Sequence, residues 1–407
     1  MTKVIVGLPA ASRGPMSDMA RTLGAPVMLS ASALCRWEDQ GPVPQGYEFN
    51  AMERAIRLQT GDRRPPSDAQ RRRRMKRWIG WNTAALDRIS DLEVYLDSAG
   101  FVAMSVYGGH LWTCESYVLD LATSPVVKSF SSMDLCVEPE LATDAHAVRE
   151  RISKTIRLNR ECSRLAREAG IHHKLMPVVQ GWTADQYVRC FDEISGCVAP
   201  GATIGIGSMC RRDTNGPDGA IAILERLDAH VPADVTFHLF GIKNQAAEAA
   251  TSIFGARIAS IDSQAYGVRA RRIANDRRAV EPSFSKSNAF TAEIMREWYE
   301  RQSRILANPR GRAMQPMMQF GAREAPGMVI DALETIARAQ INNLIEMGDL
   351  DHDQIIGGRM LEEVIGELAC ELPGDVRMTD RWTGAEQLPE AIRMEPWFPM
   401  ELDYSPS

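Results

Sequence analysis

Four short apolar runs recur between residues 175 and 263: LMPVVQG (175–181), ATIGIGS (202–208), VTFHLFGI (235–242) and RIASIDS (257–263). Helical stretches separate them, and three similar runs precede them: VMLSAS (27–32), VYLD (94–97) and SFSSMDLC (129–136). Short β-rich runs that alternate with amphipathic helices are typical of parallel strands joined by crossover helices. The pattern favours an α/β fold of the (β/α)8 TIM-barrel type over a doubly wound sheet, although both folds use the same unit.

Two of the intervening helices have readable ends. Residues 142–169 carry a long amphipathic pattern that stops at Gly170. Thr183 and Gln186 have the spacing of a capping box, which predicts that a helix begins after the strand ending at Gly181.

Composition restricts the class of protein. The chain has 407 residues, 44% of them hydrophobic, and a formal net charge of -6, so it can bury a large core and is neither a disordered polyelectrolyte nor globally basic. The apolar run near the N-terminus is broken by Pro9 and is too short for a signal peptide, and no run is long enough to span a membrane. The eight cysteines form neither a CxxC pair nor a secreted disulfide pattern, which predicts a reducing, cytoplasmic compartment.

The sequence predicts that the chain consists of two regions. Residues 1–290 are predicted to form the barrel, with a basic insertion, GDRRPPSDAQRRRRMKR (61–77), as an exposed loop leading into a helix. Residues 291–407 are predicted to be a helical C-terminal region that packs on or completes the barrel. Its amphipathic segments are 328–347 and 353–371.

Polar or small residues follow the predicted strands directly. They are Asp97, Asp134, Gln180, Gly207, Ser208, Gly241 and Asp262. A lone Asp after a strand more often caps a helix than performs chemistry. Several such residues at successive strand ends of a barrel converge on one pocket, which predicts a functional site.

Six motifs resemble, in order, those of the tRNA-guanine transglycosylase family. DSAGFVAMS (97–105) resembles DSGGFQ, MDLC (133–136) resembles FDEC, VVQGW (178–182) resembles VQGG, IGIGSM (204–209) resembles AIGGLA, HLFGI (238–242) resembles YLMGVG, and SIDSQAYGVRARR (260–272) resembles FDCVxPTRxxR. The resemblance covers residues 90–272. It implies a barrel enzyme that exchanges a guanine in a nucleic acid for a 7-deazaguanine.

The resemblance also implies a role for each matched residue. Asp262 is the expected carboxylate nucleophile, and Asp97 is the expected acid/base. The expected base-binding residues are Ser98, Asp134, Gln180, Gly207, Ser208, Phe240 and Gly241.

Elementary chemistry agrees with these roles. Breaking an N-glycosidic bond builds positive charge at the sugar C1′, which a carboxylate can stabilise and then attack. A second carboxyl is needed to move protons on and off the bases. A third, Asp134, is suited to recognition, because a carboxylate can accept from both N1–H and the exocyclic amine of guanine.

Arginines lie near these motifs in two clusters. Those expected to contact the nucleic-acid backbone are Arg269, Arg271, Arg272, Arg211, Arg73 and Arg74. For the run from Arg71 to Arg77 a solvated helix face is an equally open interpretation. The partners expected are a nucleic acid and the free 7-deazaguanine base, and the sequence leaves open a homodimer and accessory modification proteins.

The C-terminal region departs from the tRNA-acting family. Those enzymes carry a CxCxxC and His zinc site there, whereas residues 273–407 contain only Cys370 and His352 of these ligand types. No metal and no cofactor are therefore expected. Other departures are Ala99 for a glycine, Ser263 for a cysteine, and Met209-Cys210-Arg211-Arg212. These differences resemble the DNA-guanine transglycosylases, which favours DNA as substrate and a preQ0-type base.

Three alternatives remain open at this level. The chain could be a tRNA-acting enzyme that has lost zinc, or a non-catalytic subunit that binds nucleic acid. It could also be an unrelated barrel whose aspartates fall at strand ends by convergence. The presence of both Asp97 and Asp262 argues against the non-catalytic interpretation.

Overall fold

The computed structural model of the chain describes residues 2–39, 76–142 and 144–309. Their strands form one large parallel sheet and one small antiparallel sheet. In chain order the strands are β1 (Lys3–Leu8), β2 (Val27–Ser30), β3 (Cys35–Asp39), β4 (Lys76–Trp81), β5 (Val94–Asp97), β6 (Val127–Ser131), β7 (Leu175–Met176), β8 (Val178–Val179), β9 (Thr203–Ile206), β10 (Thr236–Leu239) and β11 (Ile258–Ser263).

The large sheet curls into the predicted (β/α)8 barrel. Its strand order is β7, β6, β5, β2, β1, β11, β10, β9, β8, and every neighbouring pair is parallel. The two outermost strands, β7 and β8, are one run of chain interrupted at Pro177, which has no N–H for the ladder. This run pairs with β6 on one side and β9 on the other, so the sheet closes with eight strand positions in chain order.

The first strand of the barrel is missing from the sequence prediction. β1 lies between β2 and β11, and its residues from Val4 to Leu8 are buried. Tyr266 Oη donates a hydrogen bond of 2.5 Å to the carbonyl of Gly7, which anchors the end of β1. The N-terminal apolar run, which is too short for a signal peptide, is therefore the barrel strand that joins β2 to β11.

Helices surround the barrel. They are α1 (Pro15–Leu23), α2 (Ala145–Glu168), α3 (Ala184–Ile194), α4 (Ala220–Asp228), α5 (Asn244–Phe254), α6 (Ala265–Val280) and α7 (Asn288–Ala307). Shorter helical turns occupy Ala31–Leu34, Thr83–Ile89, Gly100–Val102, Ala103–Tyr107, Ser116–Ala122, Pro139–Leu141, His172–Lys174, Ser195–Cys197 and Gly255–Arg257.

Both predicted helix ends are confirmed. α2 begins after Asp144, whose carboxylate accepts from the backbone N–H groups of the first turn, and Gly170 follows its end with φ at +71°. Thr183 and Gln186 form the reciprocal capping box at the start of α3. The left-handed backbone at Gly170 has little cost for a residue without a Cβ.

Of the described residues, 2–39, 76–142, 144–274 and 285–309 belong to one compact unit. Within it α7, which starts two residues before the predicted boundary at 290, packs against α1 and α5. Residues 275–284 belong to a second unit, in which Arg278 Nε donates to the Phe284 carbonyl at 3.2 Å. The predicted helices at 328–347 and 353–371 lie outside the described residues.

The small sheet follows the basic insertion directly. Residues 76 and 77, the described part of the 61–77 segment, begin β4 and pair with β3. The predicted helix after the loop is therefore wrong at this point: the chain continues as a strand. Trp78 and Trp81 of β4 pack edge-on, with ring centroids 5.2 Å apart, and Trp112 joins them, so aromatic burial stabilises the hairpin.

Within the described residues, no helix combines the length and the apolar character that crossing a membrane requires. The cysteines in the same part of the chain are all free thiols.

Candidate active site

The predicted site residues lie at the carboxyl ends of the barrel strands. Asp97 is the last residue of β5, and Asp262 is the penultimate residue of β11. Gln180, Gly207 and Phe240 follow β8, β9 and β10 directly. Because all barrel strands are parallel, these ends meet at one rim, where the active sites of such barrels are found.

Asp134 reaches the rim from a segment that is not a strand. The predicted strand at 129–136 is wrong beyond Ser131, where β6 ends. The segment after β6 does not pair as a strand. Hydrogen bonds link it instead to polar side chains that are spaced four residues apart on the buried face of α2. Their contacts are Arg151 Nη1 to the Cys136 carbonyl (2.6 Å), Leu135 N–H to Thr155 Oγ1 (3.0 Å) and Ser132 Oγ to Asn159 Oδ1 (2.6 Å).

A chain of hydrogen bonds fixes the Asp134 carboxylate. Ser98 Oγ donates to its Oδ1 at 2.8 Å, and Gln180 Nε2 donates to its Oδ2 at 2.6 Å. Ser208 Oγ in turn donates to Gln180 Oε1 at 2.7 Å. Burial raises the pKa of Asp134, although the hydrogen bonds from Gln180 and Ser98 oppose that rise. The network holds Asp134 in one orientation and leaves each carboxylate oxygen a further lone pair for a ligand.

The loop after β9 needs a glycine beside this network. A Cβ at Gly207 would lie 2.1 Å from Gln180 Nε2, which is an impossible contact. Ser208 follows with φ at +56°, a left-handed backbone that is uncommon for a residue other than glycine. Its hydroxyl accepts from the Val137 N–H at 2.8 Å, and this contact holds the loop against the Asp134 segment.

Asp97 has a strongly perturbed carboxyl. Burial, together with the charges of Asp134 and Asp262, raises its pKa to about 7 against the opposing hydrogen bonds from the Ala99 N–H and the Ser30 hydroxyl. The Ala99 N–H lies 3.1 Å from Asp97 Oδ2. Ala99 itself has φ at +66°, so it adopts the backbone conformation of the glycine that the family motif has there. A carboxyl that titrates near neutral pH can both give and take a proton.

Only one of the two carboxylate oxygens of Asp262 accepts a hydrogen bond from the described residues. The Gly241 N–H donates to its Oδ1 at 2.9 Å, whereas its Oδ2 accepts no hydrogen bond from the described part of the chain. The side chain is 15% exposed. The carboxylate is therefore oriented by the backbone after β10, and its second oxygen accepts no hydrogen bond from the described residues.

Two histidines, one buried and one half-buried, flank the carboxylates and are not among the predicted site residues. His238 is fully buried; its Nε2 lies 3.3 Å from Asp262 Oδ1 and its Nδ1 lies 2.8 Å from Ser260 Oγ. His110 Nε2 lies 2.9 Å from the Asp134 carbonyl, and burial lowers the pKa of this histidine. The alternation within β10 is a signal that could have identified His238, since it shares a face with Phe240 two residues on.

Phe240 lies where an apolar side chain is expected. Its ring meets His238 edge-on, with centroids 4.5 Å apart, and it covers Gly205 so closely that a Cβ there would lie 2.4 Å from the ring. Gly241 follows with φ at +59°, which turns its N–H towards Asp262. The two residues thus combine an apolar wall with a hydrogen-bond donor.

The predicted backbone-contacting arginines that the structure describes have different surroundings. Arg269 pairs with Glu297 of α7 at 3.1 Å, and Arg271 and Arg272 are half-buried on α6. Arg211 pairs with Glu138 at 3.3 Å with only 13% of its side chain exposed, which counts against a phosphate contact. Arg73 and Arg74 lie outside the described residues.

Arg212, next to Arg211, is fully buried and ties two rim loops together. Its guanidinium donates to the carbonyls of Trp182 (2.7 Å), Asp218 (2.6 Å) and Gly181 (3.0 Å), and it lies 4.4 Å from the centroid of the Trp182 ring. The loops after β8 and β9 both carry site residues. Arg212 is therefore a structural cation beneath the site.

We expect Arg212→Met to lower the free energy of unfolding by about 3 kcal/mol or more, because each buried carbonyl left without its donor costs about 1–3 kcal/mol. Urea unfolding measures the change. Arg226→Met is the control, since the Arg226 pair with Asp185 is exposed and worth less than about 1 kcal/mol. A loss below about 1 kcal/mol for Arg212→Met would contradict the structural role.

Among the described residues, no three His, Cys, Asp or Glu side chains converge in a way that could hold a metal ion. Cys370 and His352 lie outside those residues.

The barrel and its three clustered carboxylates define a (β/α)8 protein with its site at the carboxyl ends of the strands. A family model described as DeoxyPurine in DNA protein A (DpdA) matches residues 70–308, more than half of the chain. The chain therefore belongs to this family, the DNA-guanine transglycosylases, which are related to tRNA-guanine transglycosylase. A comparison with curated proteins finds no match.

The family match confirms the resemblance drawn from the sequence motifs. It indicates a transglycosylase enzyme with DNA as the nucleic acid on which it acts. The match begins at residue 70, so β1 and β2 lie before it, yet they fill the first two positions of the barrel.

Proposed function

We propose that this chain replaces guanine in DNA with a 7-deazaguanine of the preQ0 type, through a covalent glycosyl intermediate on Asp262. The observation that carries the proposal is the pairing of two unlike carboxyls at one rim. Asp262 is oriented by the Gly241 N–H, its Oδ2 accepts no hydrogen bond from the described residues, and Asp97 has a pKa raised to about 7. Carboxyls with different environments are suited to different roles in one reaction.

In the first step Asp262 Oδ2 attacks the sugar C1′ and the bond from C1′ to guanine N9 breaks. The bonding electrons leave with the base, and protonated Asp97 supplies a proton to it. The products are a glycosyl ester on Asp262, free guanine and ionised Asp97. Ester formation stores the sugar in a reactive form while the bases exchange.

In the second step the incoming base loses its N9 proton to Asp97, and N9 attacks C1′. The ester bond breaks, and Asp262 leaves as a carboxylate. Two inversions retain the configuration at C1′. Asp97 ends protonated, as it began, so no external acid or base is consumed.

Recognition is assigned to the Asp134 network. A carboxylate accepts from the N1–H and the exocyclic amine of guanine, groups that adenine does not offer in that arrangement. Gln180 and Ser98 orient this carboxylate, and Phe240 offers an apolar surface against the base. A base within a duplex must be turned out of the stack to reach such a rim pocket.

We expect Asp134→Ala to weaken binding of free guanine by about 5–150-fold and to reduce discrimination against adenine, because a bidentate pair is worth about 1–3 kcal/mol. Calorimetric titration with both bases measures it. Asp120→Ala, an exposed aspartate outside the site, is the control. Unchanged guanine affinity with a pure loss of turnover would contradict the recognition role.

The proposed function is tested by incubating the purified protein with DNA containing labelled guanine and with free 7-deazaguanine. The expected result is release of labelled guanine and a 7-deazaguanine nucleoside in the DNA, read by mass spectrometry. A parallel reaction with tRNA separates the substrates. Exchange in tRNA alone would overturn the assignment to DNA.

A further inference from the structure

A groove on the outer wall of the barrel, between α2 and α3, is lined by arginines. It has a volume of about 430 Å³ and an apolar floor that includes Ile152 and Ile156. Its cations are Arg149, Arg157 and Arg160 of α2 and Arg189 of α3, and its acid is Glu193. The four arginine side chains are exposed, so the groove presents their charge to solvent.

In the described part of the chain, three of the four arginines in the groove lack the ion pairs that Lys154 and Arg164 form elsewhere on α2. Outside it, Lys154 pairs with Glu150 at 2.6 Å, and Arg164 pairs with both Glu161 and Glu168 at 2.7 and 2.6 Å. Such pairs are typical of a solvated helix face.

Inside the groove, Arg160 pairs with Glu193 at 2.6 Å. Arg149, Arg157 and Arg189 form no ion pair with any side chain of residues 2–39, 76–142 or 144–309, although the charge of Arg149 helps to lower the pKa of Asp144. Four cations and one acid give the groove a charge of +3, in a chain whose net charge is -6. This local excess requires an anionic partner or a strongly solvated surface.

The dimensions suit a phosphodiester backbone. Arg149 and Arg160 are eleven residues apart, or about 16 Å along the helix axis. One DNA strand presents a phosphate about every 3.4 Å along the duplex axis and turns about that axis as it rises, so only a few successive phosphates can face a straight groove of this length. Arginine can bind a phosphate in a bidentate manner, so each arginine of the groove can hold one phosphate group.

The position also suits the substrate. α2 and α3 each follow a barrel strand, so they begin near the rim where the strands end and run down the outer wall. The groove starts beside the first turns of both helices, at Ala145 and Gln186. Its upper end therefore lies on the same side of the barrel as the carboxylates.

We propose that this groove binds the sugar-phosphate backbone of the DNA flanking the base that enters the site. The inference rests on the proposed function for the identity of the nucleic acid. The contacts are to phosphates and are independent of base sequence. They would hold the duplex while one base is turned out at the rim.

The test compares the triple variant Arg149→Gln, Arg157→Gln, Arg189→Gln with a control of equal charge change, Arg88→Gln, Arg296→Gln, Arg301→Gln, whose arginines lie outside the groove. Fluorescence anisotropy measures binding to a labelled DNA duplex over a salt series. Three lost phosphate contacts should reduce the slope of log K against log salt by about 2.7 and weaken binding at least about tenfold at low salt. The control should leave the slope unchanged.

The outcomes separate this inference from the proposed function. An unchanged slope in the groove variant, or equal losses in groove and control variants, overturns the inference even if the wild type exchanges bases. A reduced slope in the groove variant, combined with a wild type that binds DNA but exchanges no base, supports the groove and contradicts the proposed function. If the groove variant binds tRNA more weakly but binds DNA as tightly as the wild type, the inference about the groove is also overturned. If the triple variant unfolds by circular dichroism, the three single variants replace it, each with an expected slope change of about 0.9.

Discussion

Asp262→Asn is expected to reduce base exchange in DNA by at least about 10⁴-fold and to eliminate any covalent protein–DNA adduct. An amide neither stabilises the positive charge that develops at C1′ nor forms the glycosyl ester. The fold should survive, because the amide oxygen can still accept from the Gly241 N–H that now donates to Asp262 Oδ1 at 2.9 Å. Exchange is measured with labelled guanine, and the adduct is measured by denaturing gel after rapid quenching.

The matched control is Asp120→Asn, which makes the same chemical change at an exposed aspartate outside the site. It should exchange guanine at the wild-type rate. An adduct that persists in Asp262→Asn would transfer the nucleophile role to Asp97 or Asp134. Undiminished exchange without an adduct would point to direct displacement by the incoming base.

The strands that carry the chemistry were largely predictable from local pattern. The run VYLD (94–97) coincides with β5, and RIASIDS contains β11, because a buried parallel strand is a short β-branched run bounded by polar residues. The order of the motifs then identified the family. β1 escaped prediction because five buried residues at the N-terminus carry no periodicity, and their burial is explained by pairing with β2 and β11.

The supporting residues were not predictable, because their roles arise from contacts between distant parts of the chain. His238 and Asp262 belong to different strands, and Arg212 acts through carbonyls of the preceding loop. In the sequence, Arg151, Thr155 and Asn159 of α2 are polar residues within an amphipathic pattern and give no sign of a partner. Their role, to hold the Asp134 segment without a strand ladder, depends on tertiary packing.

Asp97→Asn is expected to lose activity and gain stability. The amide mimics the neutral carboxyl but cannot transfer its proton, so exchange should fall by about 10²–10⁴-fold. The free energy of unfolding of the variant should instead exceed that of the wild type, by an amount that depends on pH. Because burial and the neighbouring charges of Asp134 and Asp262 raise the pKa of Asp97 from 3.8 to about 7, the folded state disfavours the ionised form.

The sign of the pH dependence follows from linkage. Between pH 4 and pH 7 the folded state binds a proton at Asp97 that the unfolded state has lost, so the wild type loses stability as the pH rises through this window. About three pKa units correspond to an upper limit of about 4 kcal/mol. Asp97→Asn removes this cost, so its advantage over the wild type should be largest at pH 8 and absent near pH 4.

Urea unfolding of both proteins at pH 4.5 and pH 8 measures the difference, with Asp120→Asn as the control that should show none. An advantage of equal size at both pH values would mean that packing of the amide, and not relief of a buried charge, stabilises the variant. A stability loss at pH 8 would contradict the raised pKa itself. The expected combination, a more stable protein whose base exchange is about 10²–10⁴-fold slower, would show that the cost of ionising a buried carboxyl is retained for proton transfer.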